Sequence, residues 1–253
     1  MTRKIAFMAS RSATAQDSLR VLEAVYGNMP AEDAELIVAL GGDGFMLDAL
    51  HSTQHIDCPV YGMNRGTVGF LMNEYSPDHL MERLGEAEEA VIHPLRMRAN
   101  CVDGTEFEAL AINEVSLLRA GPQAAKLQIS VDGRVRLPEL VCDGALLSTP
   151  AGSTAYNYSA HGPILPIGAE ILALTGIAAF RPRRWRGALL PMAAHVRFDV
   201  LEPEKRPVAA SADSKDAREI LSVDIFSAPD HKHRILFDPG HGLEERLISE
   251  QFV

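Results

Sequence analysis

Asp43 is the residue best placed for chemistry. It stands in Gly41-Gly42-Asp43-Gly44, directly after the apolar run of residues 36–40. Glycines let backbone N–H groups come close to a ligand, and the start of a helix favours anions. One acid beside such a turn suits the handling of a phosphate, although an ordinary strand-to-helix turn with a capping Asp reads the same way. A second stretch, residues 143–163, consists mostly of Gly, Ala, Ser, Thr and Pro. Its small residues allow close backbone approach, its hydroxyls and amides can orient a ligand, and Tyr156 or Tyr158 can lie against a flat ring. That is the composition of a nucleotide cleft wall; the plain alternative is a solvent-exposed loop. Asn113-Glu114 follows the apolar residues 109–112, and an amide beside a carboxylate can read a base edge or ribose hydroxyls. A strand-end turn would explain the pair equally well.

Two further groups carry charge without a clear assignment. Arg181-Pro182-Arg183-Arg184-Trp185-Arg186 could bind donor phosphates or polyphosphate, form part of a subunit interface, or be a solvated basic loop. His51 and His55 stand at a spacing that metal sites use, with no third ligand nearby in the sequence. His161 borders the small-residue stretch and is a candidate for a polar contact.

The elements that must position these groups follow from apolar periodicity and breakers. Residues 4–9 read as a strand, 14–26 as a helix stopped by Gly27-Asn28-Met29-Pro30, and 36–40 as a buried strand leading through the Asp43 turn into a helix ending near Thr53. Residues 59–64 read as a third strand, ending in Asn64-Arg65-Gly66-Thr67-Val68-Gly69-Phe70-Leu71. Strand–helix alternation implies a parallel α/β layer, in which ligands bind beyond the carboxyl ends of the strands, where Asp43 and Asn64 both fall. The Glu-rich residues 76–90 predict a solvated helix. From residue 95 to about 141, short alternating segments with a turn at Asp132-Gly133 predict antiparallel β structure. A helix is expected over 169–178, and further strands over 196–201, 219–226 and 233–237. The expected domains are residues 1–92, α/β with a parallel sheet, and 93–237, β-rich and sandwich-like, with a tail of 238–253 that returns to the first domain or not.

Composition narrows the function classes. The chain has 253 residues, 47% hydrophobic and 23% charged, as in ordinary globular proteins. A net charge of −10 argues against a general nucleic-acid binder, which needs a basic surface. The first apolar run is too short for a signal peptide, and no run is long enough for a membrane span. Cys58, Cys101 and Cys142 are isolated and lack paired spacing, so neither a disulfide framework nor a zinc site is expected. The expectation is a cytoplasmic protein with reduced thiols, no membrane and no nucleic-acid partner.

Taken in order, Gly41-Gly42-Asp43-Gly44, then Asn64-x-Gly66-x-x-Gly69-Phe70-Leu71, then Asn113-Glu114, then Asp143-Gly144 leading to Thr149-Pro150-Ala151-Gly152-Ser153-Thr154-Ala155-Tyr156, resemble the motif set of the NAD kinase family. The first motif is shared with diacylglycerol kinases and phosphofructokinases; the Thr149–Tyr156 block narrows the resemblance. It implies transfer of a terminal phosphoryl group from ATP, or polyphosphate in some members, to the 2′-hydroxyl of the adenosine ribose of NAD. It also implies an N-terminal α/β domain, a β-rich domain, the dinucleotide between them, Mg²⁺ and a homo-oligomer, dimer or tetramer.

By position, the resemblance makes Asp43 the general base, or a metal ligand, with Gly44 lining the substrate. Gly41, Gly42 and Gly44 would hold donor phosphates. Asn113, Glu114, Asp143, Ala151, Thr154, Ala155, Tyr156, Asn157, Tyr158 and Ser159 would hold NAD, with Ala178 as a further contact. Three departures stand out: Phe45 in place of a more usual Thr, Val141 where some members carry Arg, and Ala212-Asp213-Ser214 in place of a common Asp-Gly. The competing readings are a lipid kinase, a non-catalytic dinucleotide sensor and a dehydrogenase. No amphipathic membrane helix supports the first, a retained Asp43 argues against the second, and Met8-Ala9-Ser10-Arg11-Ser12 stands where the third needs its glycines.

Overall fold

The computed structural model describes residues 4–66, 69–183 and 185–250. The chain forms two compact units, one from Met1–Ile92 with His231–Val253, the other from His93–Asp230. The first begins β1 (Ile5–Ala9), α1 (Ala13–Tyr26), β2 (Leu36–Gly41), α2 (Asp43–Ser52), β3 (Val60–Asn64), α3 (Leu80–Glu86) and β4 (Glu88–Ile92). The second contains β5 (Leu95–Cys101), β6 (Glu106–Ala111), β7 (Glu114–Arg119), β8 (Ala125–Val131), β9 (Arg134–Cys142) and β10 (Gly144–Ser148). It continues with α4 (Tyr156–Ser159), β11 (Ile171–Ile177), β12 (Ala188–Pro191), β13 (Val196–Val200), β14 (Val208–Ala212), β15 (Lys215–Ala217) and β16 (Ile220–Ser227). Two elements, β17 (His233–Phe237) and α5 (Leu243–Glu250), then complete the first unit.

The first unit is a five-stranded sheet of order β1-β2-β3-β17-β4. Neighbours are parallel except for the antiparallel edge strand β4. Every residue of β2 is buried, which is why Leu36 to Gly41 is apolar without alternation. Helix α1 starts where the Ser12 hydroxyl accepts the Ala15 N–H (3.2 Å), and it stops at Gly27, whose φ of +74° suits glycine. The expected helix over 76–90 is instead α3 followed by β4. Glu and Ala favour a helix locally, but β17 arrives from far along the chain and takes residues 88–92 as a sheet edge. There Arg234 grips Glu89 with two bonds, Nε to Oε1 at 2.9 Å and Nη2 to Oε2 at 2.7 Å. Strand 233–237, expected in the second domain, thus belongs to the first unit's sheet, and residues 243–250 form a helix of that unit.

The second unit is a sandwich of two six-stranded sheets, β12-β11-β10-β7-β14-β15 and β6-β5-β16-β13-β8-β9. One apolar cluster joins their inner faces, including Met97, Leu127, Phe198 and Val223 from one sheet and Val115, Leu147, Leu172 and Val208 from the other. Asp132 and Gly133, both at positive φ, turn β8 into β9. Residues 169–178 hold no helix: Ile171–Ile177 is strand β11, paired on both edges by β10 and β12. A continuous apolar run buried on both faces does not reveal its period. Among the described residues no helix is long and apolar enough to cross a membrane, and Cys58, Cys101 and Cys142 are buried free thiols.

Candidate active site

In the first unit, β2 ends at Gly41, Gly42 caps α2 in an extended conformation, and Asp43 opens the helix. A Cβ on Gly41 would lie 2.7 Å from Cβ of Phe45, so the return of α2 over the turn requires glycine there. The neighbouring loop closes onto the turn: the Arg65 N–H donates to the Gly41 carbonyl (2.6 Å), and a Cβ on Gly66 would sit 3.4 Å from Cα of Gly42. The half-buried Asp43 carboxylate accepts the Phe70 N–H on Oδ2 (2.7 Å) and the Leu71 N–H on Oδ1 (2.8 Å). Gly69 makes room for this grip, since its Cβ would lie 2.6 Å from Cγ of Met72. A carboxylate has about four lone-pair directions, so each oxygen keeps capacity for one more partner. Gly44 is exposed beside it.

A buried network supports the loop from behind. Asn73 donates from Nδ2 to the carbonyls of Gly62 and Leu236, both at 3.0 Å, and its Oδ1 accepts the Asp238 N–H. Asp238 accepts the Tyr61 hydroxyl (2.5 Å) and two Arg83 donors (3.1 and 2.6 Å). Burial pushes the Asp238 carboxyl upward, but Arg83 and Tyr61 outweigh it and hold it below the usual carboxylate range. Arg65 lies over the Tyr75 ring, 4.1 Å from its centroid, with Nε buried and unpartnered. Asn73, Asp238, Arg83 and Arg65 carried no pattern in the sequence beyond the position of Asn73, four residues after Gly69. Thr67 and Val68, inside the Asn64–Leu71 motif, lie outside the described residues.

In the second unit, β7 and β10 are antiparallel neighbours that place Glu114 opposite Ser148. The chain then turns through residues 149–165, and the side chains of Thr149, Ser153 and Asn157 hold that turn. Thr149 donates its hydroxyl to the Ile112 carbonyl (2.8 Å) and accepts the Gly152 N–H (3.0 Å). A Cβ on Gly152 would meet the Asn113 carbonyl oxygen at 2.2 Å. Ser153 donates to the Pro150 carbonyl and accepts the Leu165 N–H. Asn157, expected at the dinucleotide, is fully buried: Nδ2 donates to the carbonyls of Ser153 (3.1 Å) and Pro163 (2.8 Å), and Oδ1 accepts the Thr175 hydroxyl (2.7 Å). Both amide hydrogens are spent, so this side chain holds the loop rather than a ligand.

The remaining expected residues divide by exposure. Ala151 is buried; Thr154, Ala155 and Tyr156 are half-buried; Tyr158 and Ser159 are exposed. The Glu114 carboxyl is pushed up to about 8 by burial and by the charge of Asp213, with the Tyr156 backbone N–H pulling the other way. Its Oε2 is buried and unpartnered. Burial, Glu114 and Asp143 together raise the Tyr156 phenol. Asp143 accepts Arg119 Nε at 2.6 Å and is half-exposed. The Asp213 carboxylate accepts the backbone N–H groups of Ile112 (2.7 Å) and Asn113 (3.0 Å), which fixes the strand end carrying Asn113 and Glu114. Ala178 is exposed just past β11 at a φ of +48°.

The outlying groups do not join these clusters. His51 ends α2 and faces His233 edge-on (6.2 Å), while His55 lies beyond the helix, so the two do not share a helical face. Among the described residues no three His, Cys, Asp or Glu side chains gather as a metal cage. Arg181 lies over the Phe180 ring, Trp185 packs near Gly176, Arg183 and Arg186 are exposed, and Arg184 is outside the described residues. His161 is exposed at positive φ.

The family model for the ATP-NAD kinase N-terminal domain matches residues 3–90, and that for the ATP-NAD kinase C-terminal domain matches residues 112–227. The chain is 67% identical over 251 residues to the NAD kinase of Cereibacter sphaeroides, covering 99% of each chain. It is 59% identical over 249 residues to that of Caulobacter vibrioides, covering 98% of this chain and 96% of the relative. In fold it matches the crystal structure of yeast NADH kinase complexed with NADH (TM-score 0.82, 20% identity, 99% of this chain and 87% of the other). It also matches an Archaeoglobus fulgidus NAD kinase in complex with ATP (TM-score 0.77, 22% identity, 97% of each). This chain belongs to the NAD kinase family.

Proposed function

We infer that this chain phosphorylates NAD with ATP, placing the terminal phosphoryl group on the 2′-hydroxyl of the adenosine ribose to give NADP. Family membership over both domain models supports the reaction. The observation that carries the residue assignment is the Asp43 carboxylate, held by two backbone N–H groups where β2 passes into α2. A ribose hydroxyl is a poor nucleophile, and phosphoryl transfer depends mainly on placement and charge neutralisation. In this reading Asp43 takes the 2′-hydroxyl proton, the 2′-oxygen bonds the terminal phosphorus, and the bond to the bridging oxygen breaks, releasing ADP. Such a base contributes roughly 10²–10⁴-fold.

The backbone amides of Gly41, Gly42 and Gly44 are the proposed donor-phosphate contacts. For NAD the proposed contacts are Asp43, Gly44, Asn113, Glu114, Asp143, Ala151, Thr154, Ala155, Tyr156, Tyr158, Ser159 and Ala178, with Asn157 supporting the loop that carries them. In this reading a Mg²⁺ ion would be held chiefly by the donor's phosphates and would offset their charge. Polyphosphate as an alternative donor, a dimer or tetramer, and a cytoplasmic location extend the same reading. The test is incubation of purified protein with NAD and Mg-ATP, or Mg-polyphosphate, followed by detection with an NADP-specific dehydrogenase. NADP formed with ATP is expected; no NADP with either donor would overturn the reading.

A further inference from the structure

Arg246 lies on α5, outside every motif singled out in the sequence. Its guanidinium is half-buried against the loop that grips Asp43. Nη1 is shared among the carbonyls of Gly69 (3.3 Å), Phe70 (3.0 Å) and Met72, Nη2 reaches Oδ1 of Asn73 (3.4 Å), and Nε donates to the His241 carbonyl (2.8 Å). The ring of Phe237 lies 5.1 Å from Cζ. All of these residues belong to the first unit.

The order of these bonds along the chain is informative. The Gly69 carbonyl and the Phe70 N–H belong to one peptide group; the Phe70 carbonyl and the Leu71 N–H belong to the next. Both peptides therefore present oxygen to a cation and N–H to the Asp43 anion. Hydrogen bonds arranged in series polarise one another, so the cation strengthens the grip on the carboxylate as well as fixing the loop. Burial disfavours the charge on Arg246, and Asp43 and Asp238 act in the opposite sense to keep it. Asn73 ties the far end of the loop to β3 and β17, and Arg246 holds the carbonyls of residues 69 and 70 nearer the carboxylate.

We propose that Arg246 is a positioning residue for phosphoryl transfer, acting through the 69–71 peptides to set the orientation of the Asp43 carboxylate. The proposal rests on the reading of Asp43 as the base, and the two can fail separately. The experiment uses the full chain with Asp43→Asn, Arg246→Ala, Arg246→Lys and the double variant Asp43→Asn/Arg246→Ala. Rates are taken at saturating NAD and Mg-ATP, with KM for NAD and thermal unfolding recorded for each.

Because a misplacement of about 1 Å can cost about 100-fold, Arg246→Ala should lower kcat about 10- to 100-fold while KM for NAD stays within about threefold. Arg246→Lys keeps the charge but not the fork, and should recover part of that loss while staying about threefold or more below the parent. In the Asp43→Asn background, removing Arg246 should cost less than about twofold more, because groups that act as a unit are not additive. A folded Arg246→Ala variant with kcat within about twofold of the parent would overturn the proposal, as would a full further loss in the Asp43→Asn background. If the Ala variant does not fold, a Lys variant with parental kcat overturns it. Near-normal turnover in Asp43→Asn alone would instead overturn the base assignment.

Discussion

The Asp43 turn and the small-residue loop of the second unit both hold glycines beside polar side chains, yet they use them in opposite ways. At the turn, backbone groups serve a side chain: Phe70 and Leu71 lend their N–H groups to one carboxylate, which keeps free lone pairs. In the 149–165 loop, side chains serve the backbone: Thr149, Ser153 and Asn157 bond carbonyls and N–H groups of the turn and its neighbours. A polar residue in a Gly-rich stretch is therefore available to a ligand only where the backbone does not already claim it. In the loop, that leaves Tyr158, Ser159 and His161 as its exposed polar members, with Thr154 and Tyr156 half-buried.

Substitutions can break this contrast, the largest effect first. Gly152→Ala should cost about 3 kcal/mol or more, because the new methyl would meet the Asn113 carbonyl oxygen at 2.2 Å. For a chain of this size that is a fall of about 10 °C in a melting experiment. Asn157→Ala strands two carbonyls and a hydroxyl and should cost about 2 kcal/mol, or about 5 °C. Tyr158→Ala, by contrast, should leave the melting point within about 1 °C and raise KM for NAD. A Tyr158→Ala variant as unstable as Asn157→Ala would erase the distinction.

A further effect is pH-dependent. The Glu114 carboxyl is pushed up to about 8 in the folded chain, from 4.5. Between those values the folded state holds a proton that the unfolded chain has lost, so stability falls as pH rises from 4.5 toward 8. Glu114→Gln removes that slope. Melting curves should coincide below pH 4.5 and separate to about 2 °C or more in favour of the variant above pH 8. Parallel curves across that range would show that Glu114 titrates normally.

How far the sequence could be read depended on whether the information was local. Residues 36–44 announced strand, turn and acid because burial of β2 and the demands of a tight turn act on adjacent residues. Asn113-Glu114 and residues 149–156 stood out by residue type and by resemblance to a motif set, which is also local information. Strand β4 was not, because its partner β17 lies about 145 residues away and local Glu and Ala content points to a helix. Strand β11 was hidden by burial on both faces. The identity of polar groups as ligand contacts or loop supports was not legible either: Asn157 and Asp213 find partners in Thr175, Ile112 and Asn113, which only the folded chain brings near. The same is true of Arg246, whose two terminal nitrogens find acceptors more than 170 residues earlier.

The most direct test of the central claim is Asp43→Asn, assayed for NADP formation with Mg-ATP and, separately, for NAD binding by calorimetry. If the carboxylate is the base, turnover falls about 100-fold or more while NAD affinity stays within a few-fold of the parent. Near-parental turnover at saturating NAD and Mg-ATP would contradict the account.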